Sequence, residues 1–126
     1  MRLITDILEI LYPTCCPGCG CVVDPNVQWC EACLRKIWNP RLLNSSFTDH
    51  LSGCYTCCDY AGAIRDCIIQ IKYGGRRSRK RVFAPLLSRF PWWERMGECG
   101  LVIPIPLSSQ KKKWRGYNQV DLMFAT

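Results

Sequence analysis

No stretch of this 126-residue chain is apolar for long enough to cross a bilayer, and nothing at its start reads as a secretory signal. The apolar positions near the start, Leu3, Ile4, Ile7, Leu8 and Leu11, are interrupted by Asp6 and Glu9 and followed by Pro13. They lie on one face of a short amphipathic helix, so the expected setting is cytoplasmic, with no transmembrane segment. An even cysteine count is also missing. There are 11, and an odd number without a signal argues against a disulfide framework. Charge is sparse too, at 21% of residues against 48% hydrophobic, which excludes a disordered tail and allows a buried core. The length suits one ordinary domain, or a small metal module joined to part of a second domain.

What is present begins with cysteine spacing. Cys16-Pro17-Gly18-Cys19 and Cys30-Glu31-Ala32-Cys33 are two Cys-x-x-Cys pairs with ten residues between them. Each pair can turn both sulfurs to one side, and two such turns face to face make a tetrahedron suited to Zn²⁺. Gly18 and Gly20 allow positive φ and a close approach of amides to thiolates. Four thiolates leave no open coordination position, so the expected role of the metal is structural. Two disulfides or four inert buried cysteines are the competing account. Cys15 and Cys21 flank the first pair and could substitute in register.

Charge is unevenly placed. Residues 1–60 carry 4 basic and 6 acidic side chains, net −2, whereas residues 61–126 carry 13 and 4, net +9. Zinc on four thiolates adds a further −4 + 2 = −2 to the front, so an anionic partner should meet the second half.

Along the chain, Leu34 to Trp38 reads as a helical turn stopped by Asn39-Pro40, and residues 41–49 read as a linker. The expected organisation is a zinc module over residues 1–40, that linker, and an α/β domain over 50–126. His50 to Tyr60 suggests a strand. Its Cys54 and Cys57 invite a second metal site with Cys58, Cys67 or Cys99, but i and i+3 face opposite sides of a strand, which favours small buried cysteines. Ile64, Cys67, Ile68 and Ile71 repeat at helical spacing before Gly74-Gly75. Lys72 and then Arg76-Arg77-Ser78-Arg79-Lys80-Arg81 follow. Such a run is either a solvated surface or an electrostatic attractor for phosphate on nucleic acid or a small ligand. Val82 to Phe90 suggests a helix despite Pro85. Leu101-Val102-Ile103-Pro104-Ile105-Pro106 suggests a buried strand, and apolar strands alternating with helices suggest parallel pairing. Lys111-Lys112-Lys113-Trp114-Arg115-Gly116-Tyr117-Asn118-Gln119 beyond it would then form a phosphate-gripping loop.

Taken together, these residues resemble the ComF family of phosphoribosyltransferase-like proteins associated with competence and DNA uptake, over most of the chain. The Leu-Tyr-Pro-Thr-Cys-Cys-Pro-Gly-Cys-Gly opening is similar to the family's zinc ribbon, with Cys16, Cys19, Cys30 and Cys33 at the metal positions. Tyr60 to Arg65 with Ile71-Lys72-Tyr73-Gly74-Gly75 resembles its tyrosine-glycine and lysine-tyrosine-glycine segment. Ile103 to Ser108 with Arg115 to Gln119 resembles its proline-flanked strand and Arg-Gly-x-Asn-Gln loop. The resemblance implies a phosphoribosyltransferase-like α/β fold with competence proteins as partners. It also implies a second zinc ribbon in many members, which is missing or reduced here. A later strand and an acidic, Thr-Thr-Gly-like phosphate loop are implied as well. No such segment follows before Thr126, so the chain is expected to be a truncated, first part of that domain, with no catalytic residue assigned.

Two functional classes follow. In the first, Lys72, Arg115 and Asn118 contact pyrophosphate or a phosphorylated ligand in a transferase whose activity requires missing sequence. In the second, a zinc-stabilised module binds single-stranded DNA through Lys72, Arg76, Arg77, Arg79, Lys111 and Arg115. A protein-interaction scaffold using zinc, Trp92 and Trp93 is a third, plainer reading.

Overall fold

A computed structural model describes residues 7, 10–43, 51 and 53–124. Most of the expected amphipathic helix near the start lies outside the described residues, although Ile7, Ile10 and Leu11 are helical and exposed. The cysteine-rich stretch folds without long elements. A bridge between Cys15 and Val22 closes a loop in which Cys16 N–H donates to Cys21 O at 2.8 Å and Gly20 N–H donates to Cys16 O at 2.8 Å. Gly20 closes this loop at φ +78°, a conformation that a side chain resists.

Helix α1 (Glu31–Ile37) starts at the second cysteine pair. Cys30 is its N-cap, its Sγ accepting from Cys33 N–H at 3.4 Å. The helix ends at Ile37, but Asn39-Pro40 does not end regular structure as expected. The chain continues as β1 (Trp38–Leu43), paired antiparallel with β2 (Cys54–Cys58) in the register Trp38↔Cys58, Arg41↔Thr56 and Leu43↔Cys54. Register slips between Trp38 and Arg41, which is where Pro40 removes an N–H from the ladder. Arg41 to Leu43, expected in the linker, are therefore strand. Asp59 fastens the end of this pair, accepting from Asn39 at 3.1 Å and Arg41 at 2.5 Å.

Helix α2 (Gly62–Tyr73) forms where the apolar period requires it. Ile64, Cys67 and Ile71 are each 2% exposed or less, and Gly74 N–H caps the helix on Gln70 O at 3.0 Å. A 3₁₀ helix (Arg77–Phe83) and helix α3 (Ala84–Ser88) follow, the latter with Pro85 in its first turn, where a missing N–H costs nothing. Helix α4 (Trp93–Gly97) comes next. Helices α5 (Ser109–Arg115) and α6 (Gln119–Phe124) end the described chain.

The expected strand over residues 101–106 does not form. That segment has no regular structure, and Leu101, Val102, Ile103 and Ile105 are 66–77% exposed. A parallel strand is held only by its neighbours, and among the described residues none lies beside it, while Pro104 and Pro106 withhold two donors. The α/β class therefore holds only as helices with one two-stranded antiparallel sheet, and no parallel sheet is present among the described residues.

One apolar core spans both halves. Cys16, Trp29 and Leu34 from the cysteine-rich region pack with Ile64, Cys67 and Ile71 of α2 and with Val82, Phe83 and Leu86. At about 1.5–3 kcal/mol for each large side chain taken from water, this cluster is the main force joining the halves. Trp29, 1% exposed, also donates from Nε1 to Val82 O at 2.7 Å, so its indole is both buried and satisfied.

Candidate metal centre and cationic face

The Sγ atoms of Cys16, Cys19, Cys30 and Cys33 all lie within 4.8 Å of one another, the four residues picked out by spacing alone. Sulfurs at the corners of a tetrahedron with bonds of about 2.3 Å would stand about 3.8 Å apart, and Cys19 and Cys30 are at 3.6 Å. The backbone is shaped for this. Gly18 sits so close that a Cβ there would come 2.7 Å from Cys33 Sγ, a distance no side chain tolerates. All 11 cysteines are free in this structure.

The electrostatics of the cluster fit a cation. Burial raises the Cys16 thiol, but amide donors from Cys30, Cys19 and Gly18 outweigh it and bring its pKa down to about 6. The Cys21 amide and thiol lower Cys19. Their partners move the other way: the hydrogen bond with Cys30 lifts Cys33 to about 12, and that with Cys19 lifts Cys21 to about 12. In this metal-free arrangement some sulfurs are ready to be thiolates while others keep protons to hold them. A divalent ion held by Cys16, Cys19, Cys30 and Cys33 would take the place of those protons and let all four ionise. Soft thiolates in a closed set suit zinc, which would brace the fold from Cys16, Cys19, Cys30 and Cys33 and leave no position for substrate.

Cys54, Cys57 and Cys58 do not join a second site. They lie in β2, and among the described residues the front four cysteines are the one group of three or more candidate ligands brought together. Burial raises the thiols of Cys57, Cys58 and Cys67, the behaviour of small core residues.

The basic residues are arranged differently from the expected loop. Residues 111–115 are helical, because Ser108 caps α5 with its Oγ accepting from Lys111 N–H at 3.4 Å. Gly116, at φ +78°, ends the helix with its N–H on Lys112 O at 2.8 Å. The turn after Gly116 lies against the end of α2, where Tyr117 Oη donates to Ile71 O. This docking brings two of the predicted residues into one face. The Arg77 guanidinium stands 4.6 Å from the centre of the Tyr117 ring, and that of Arg115 5.5 Å from the Tyr73 ring. Tyr73 and Trp114 rings are 6.2 Å apart and both exposed, at 65% and 68%. Arg115 also donates to Gln119 Oε1, and its buried Nε has no partner.

Of the other predicted cations, Arg76 and Lys111 are exposed and Lys72 and Arg79 half-buried. Asn118 is committed elsewhere: its Nδ2 donates to Ile105 O at 3.1 Å, and its Oδ1 accepts from Val120 N–H at 3.1 Å. Sequence reasoning missed Tyr73, Trp114 and Tyr117 as members of the face. The available signal was the direct alternation of Trp114, Arg115 and Tyr117 within a basic run.

Of Trp92 and Trp93, expected as exposed partner contacts, Trp93 is exposed at 39% and Trp92 is half-buried. Trp92 stacks with Tyr55 at 4.9 Å and with Phe90 at 5.4 Å, and Trp93 meets Phe90 at 5.9 Å. No helix among the described residues is long and apolar enough to cross a membrane. Comparison with protein-family models, with curated proteins and with solved structures finds no match to this chain.

Proposed function

We propose that this chain is a zinc-braced, ComF-type module whose cationic and aromatic face holds single-stranded nucleic acid in the service of DNA uptake. The observation that carries the reading is the interleaving of Arg77 with Tyr117 and of Arg115 with Tyr73 and Trp114 on one surface. Single strands are gripped by cations that track phosphates and by exposed rings on which bases stack, and this face offers both. The net charge of +9 over residues 61–126 supplies the long-range attraction. Zinc at the four front cysteines contributes rigidity through the shared core and takes no part in binding.

Anisotropy of a fluorescent oligothymidylate, titrated with the zinc-loaded protein across a range of salt, tests this. Affinity should fall steeply with salt, and each of Arg77→Ala and Arg115→Ala should reduce the slope by about one. Affinity unchanged by salt or by either substitution would sink the proposal.

A second reading keeps the resemblance to phosphoribosyltransferases. The order of the Lys72-Tyr73-Gly74-Gly75 segment, the Ile103 to Pro106 stretch and the Arg115 to Gln119 turn favours it. Calorimetry with phosphoribosyl pyrophosphate and Mg²⁺ separates the two, since only a transferase-type site would show saturable binding of the small ligand.

A further inference from the structure

Cys21 is not one of the four clustered cysteines, yet its thiol meets Cys19 first and Cys30 second. Its Sγ shares a hydrogen bond with Cys19 Sγ at 3.4 Å, closer than the 3.6 Å between Cys19 and Cys30. Both Cys19 and Cys21 are exposed. Between them lies Gly20 at φ +78°, which folds the chain back so that the two sulfurs meet, and nothing crowds it within 4 Å. Cys30, by contrast, is half-buried, caps α1 and would be held by the metal. A fifth sulfur that no tetrahedral ion needs therefore lies in contact with the most accessible of the four ligands.

We propose that Cys19 and Cys21 form a redox clasp: a peroxide oxidises them to a disulfide, withdrawing Cys19 from the metal and releasing zinc. This rests on the zinc reading of the four-cysteine cluster. The chemistry balances with a peroxide as the only oxidant. The Cys19 thiolate attacks one oxygen of hydrogen peroxide, the O–O bond breaks, hydroxide leaves and Cys19 becomes a sulfenic acid. Cys21 then attacks the Cys19 sulfur, the S–S bond forms, the S–O bond breaks, and the departing hydroxide takes the Cys21 proton as water. Two sulfurs have lost two electrons and one peroxide has become water and hydroxide. With three sulfurs left the site no longer closes around the ion, and a dithiol reductant restores it.

The test uses the intact zinc-loaded protein. Zinc is counted per chain, hydrogen peroxide is added, and the ion is followed with a chromogenic chelator while fragment mass spectrometry locates the disulfide. The unsubstituted chain should release zinc with a Cys19–Cys21 bond. Cys21→Ser should hold one zinc before oxidation and release it at least about tenfold more slowly, and Cys15→Ser should behave as the parent. Equal release rates in Cys21→Ser, or a disulfide between Cys16 and Cys19 or between Cys30 and Cys33, would overturn the clasp. Loss of zinc from Cys21→Ser before oxidation would overturn it too, by making Cys21 a ligand. A parent chain without zinc would refute the underlying metal reading, while the disulfide map would still decide the pairing.

Discussion

Trp29 Nε1 donates to Val82 O at 2.7 Å across 53 residues of sequence, with both residues almost wholly out of water. Trp29 precedes the second cysteine pair, and Val82 follows the basic run. One side chain therefore ties the four-cysteine cluster to the cationic half, by burial and by a hydrogen bond together.

Trp29→Phe keeps most of the ring and removes the donor, leaving Val82 O buried without a partner. Stability should fall by about 1–3 kcal/mol, read from denaturant unfolding followed by circular dichroism, with zinc content unchanged. Trp29→Ala should cost more, about 3–5 kcal/mol, because it also empties the core.

Gly18→Ala places a methyl group where Cys33 Sγ already stands. The cluster must open to admit it, at a cost of about 1–3 kcal/mol, which is roughly a 5- to 150-fold loss of zinc affinity in a competition titration. Gly20→Ala strains the loop through its positive φ without touching a sulfur, and should lower stability while changing zinc affinity less.

The pH response has a definite sign. In the metal-free chain Cys16 ionises near 6 against an ordinary 9.0, so its contribution to stability is fully present above pH 9.0 and is lost as pH falls through about 6. Cys33, raised from 9.0 to about 12, contributes stability that is fully present below pH 9.0 and is lost as pH rises towards 12. Zinc requires both as thiolates, so binding must expel the Cys33 proton. Its affinity should rise steadily from about pH 5 to about pH 8, with proton release visible in weakly buffered solution. A flat profile would rule out thiolate ligation.

Trp114→Ala removes an exposed ring that packs near Tyr73 and supports no core. The loss in affinity for a single-stranded oligonucleotide should be about 1–3 kcal/mol at any salt, with the salt slope unchanged. Arg77→Ala should show the opposite signature, a changed slope.

The four-cysteine cluster was legible in sequence because its members are local: two turns of fixed length must bring their sulfurs together wherever they sit. Helix α2 was legible for a similar reason, since the spacing of Ile64, Cys67 and Ile71 is a property of the segment itself. The failures concern distant partners. Pro40 argued against a strand, yet β2 supplies a partner that tolerates it through a slipped register. Leu101 to Pro106 had strand composition, but composition cannot provide the neighbour that a parallel strand needs. The run from Lys111 to Gln119 looked like a loop because its charges drew attention, whereas Ser108 and Gly116 at its ends cap a helix. The face made by Tyr73, Arg77, Trp114, Arg115 and Tyr117 was hidden because it depends on a turn docking 46 residues away, where Tyr117 meets Ile71.

The bare stretch from Leu101 to Pro106 also bears on how the protein avoids clumping. Drawn out straight, it would direct the groups of residues 102, 104 and 106 to one side and those of 101, 103 and 105 to the other. Two of the three residues on the first side are prolines, which offer an intruder no N–H, and on the second side the Ile105 carbonyl is already occupied by Asn118. An apolar ribbon in open water would ordinarily recruit copies of itself into fibres. Here the prolines on one margin and the bonded Ile105 carbonyl on the other weaken the backbone template that greasy side chains on display would otherwise offer to self-assembly.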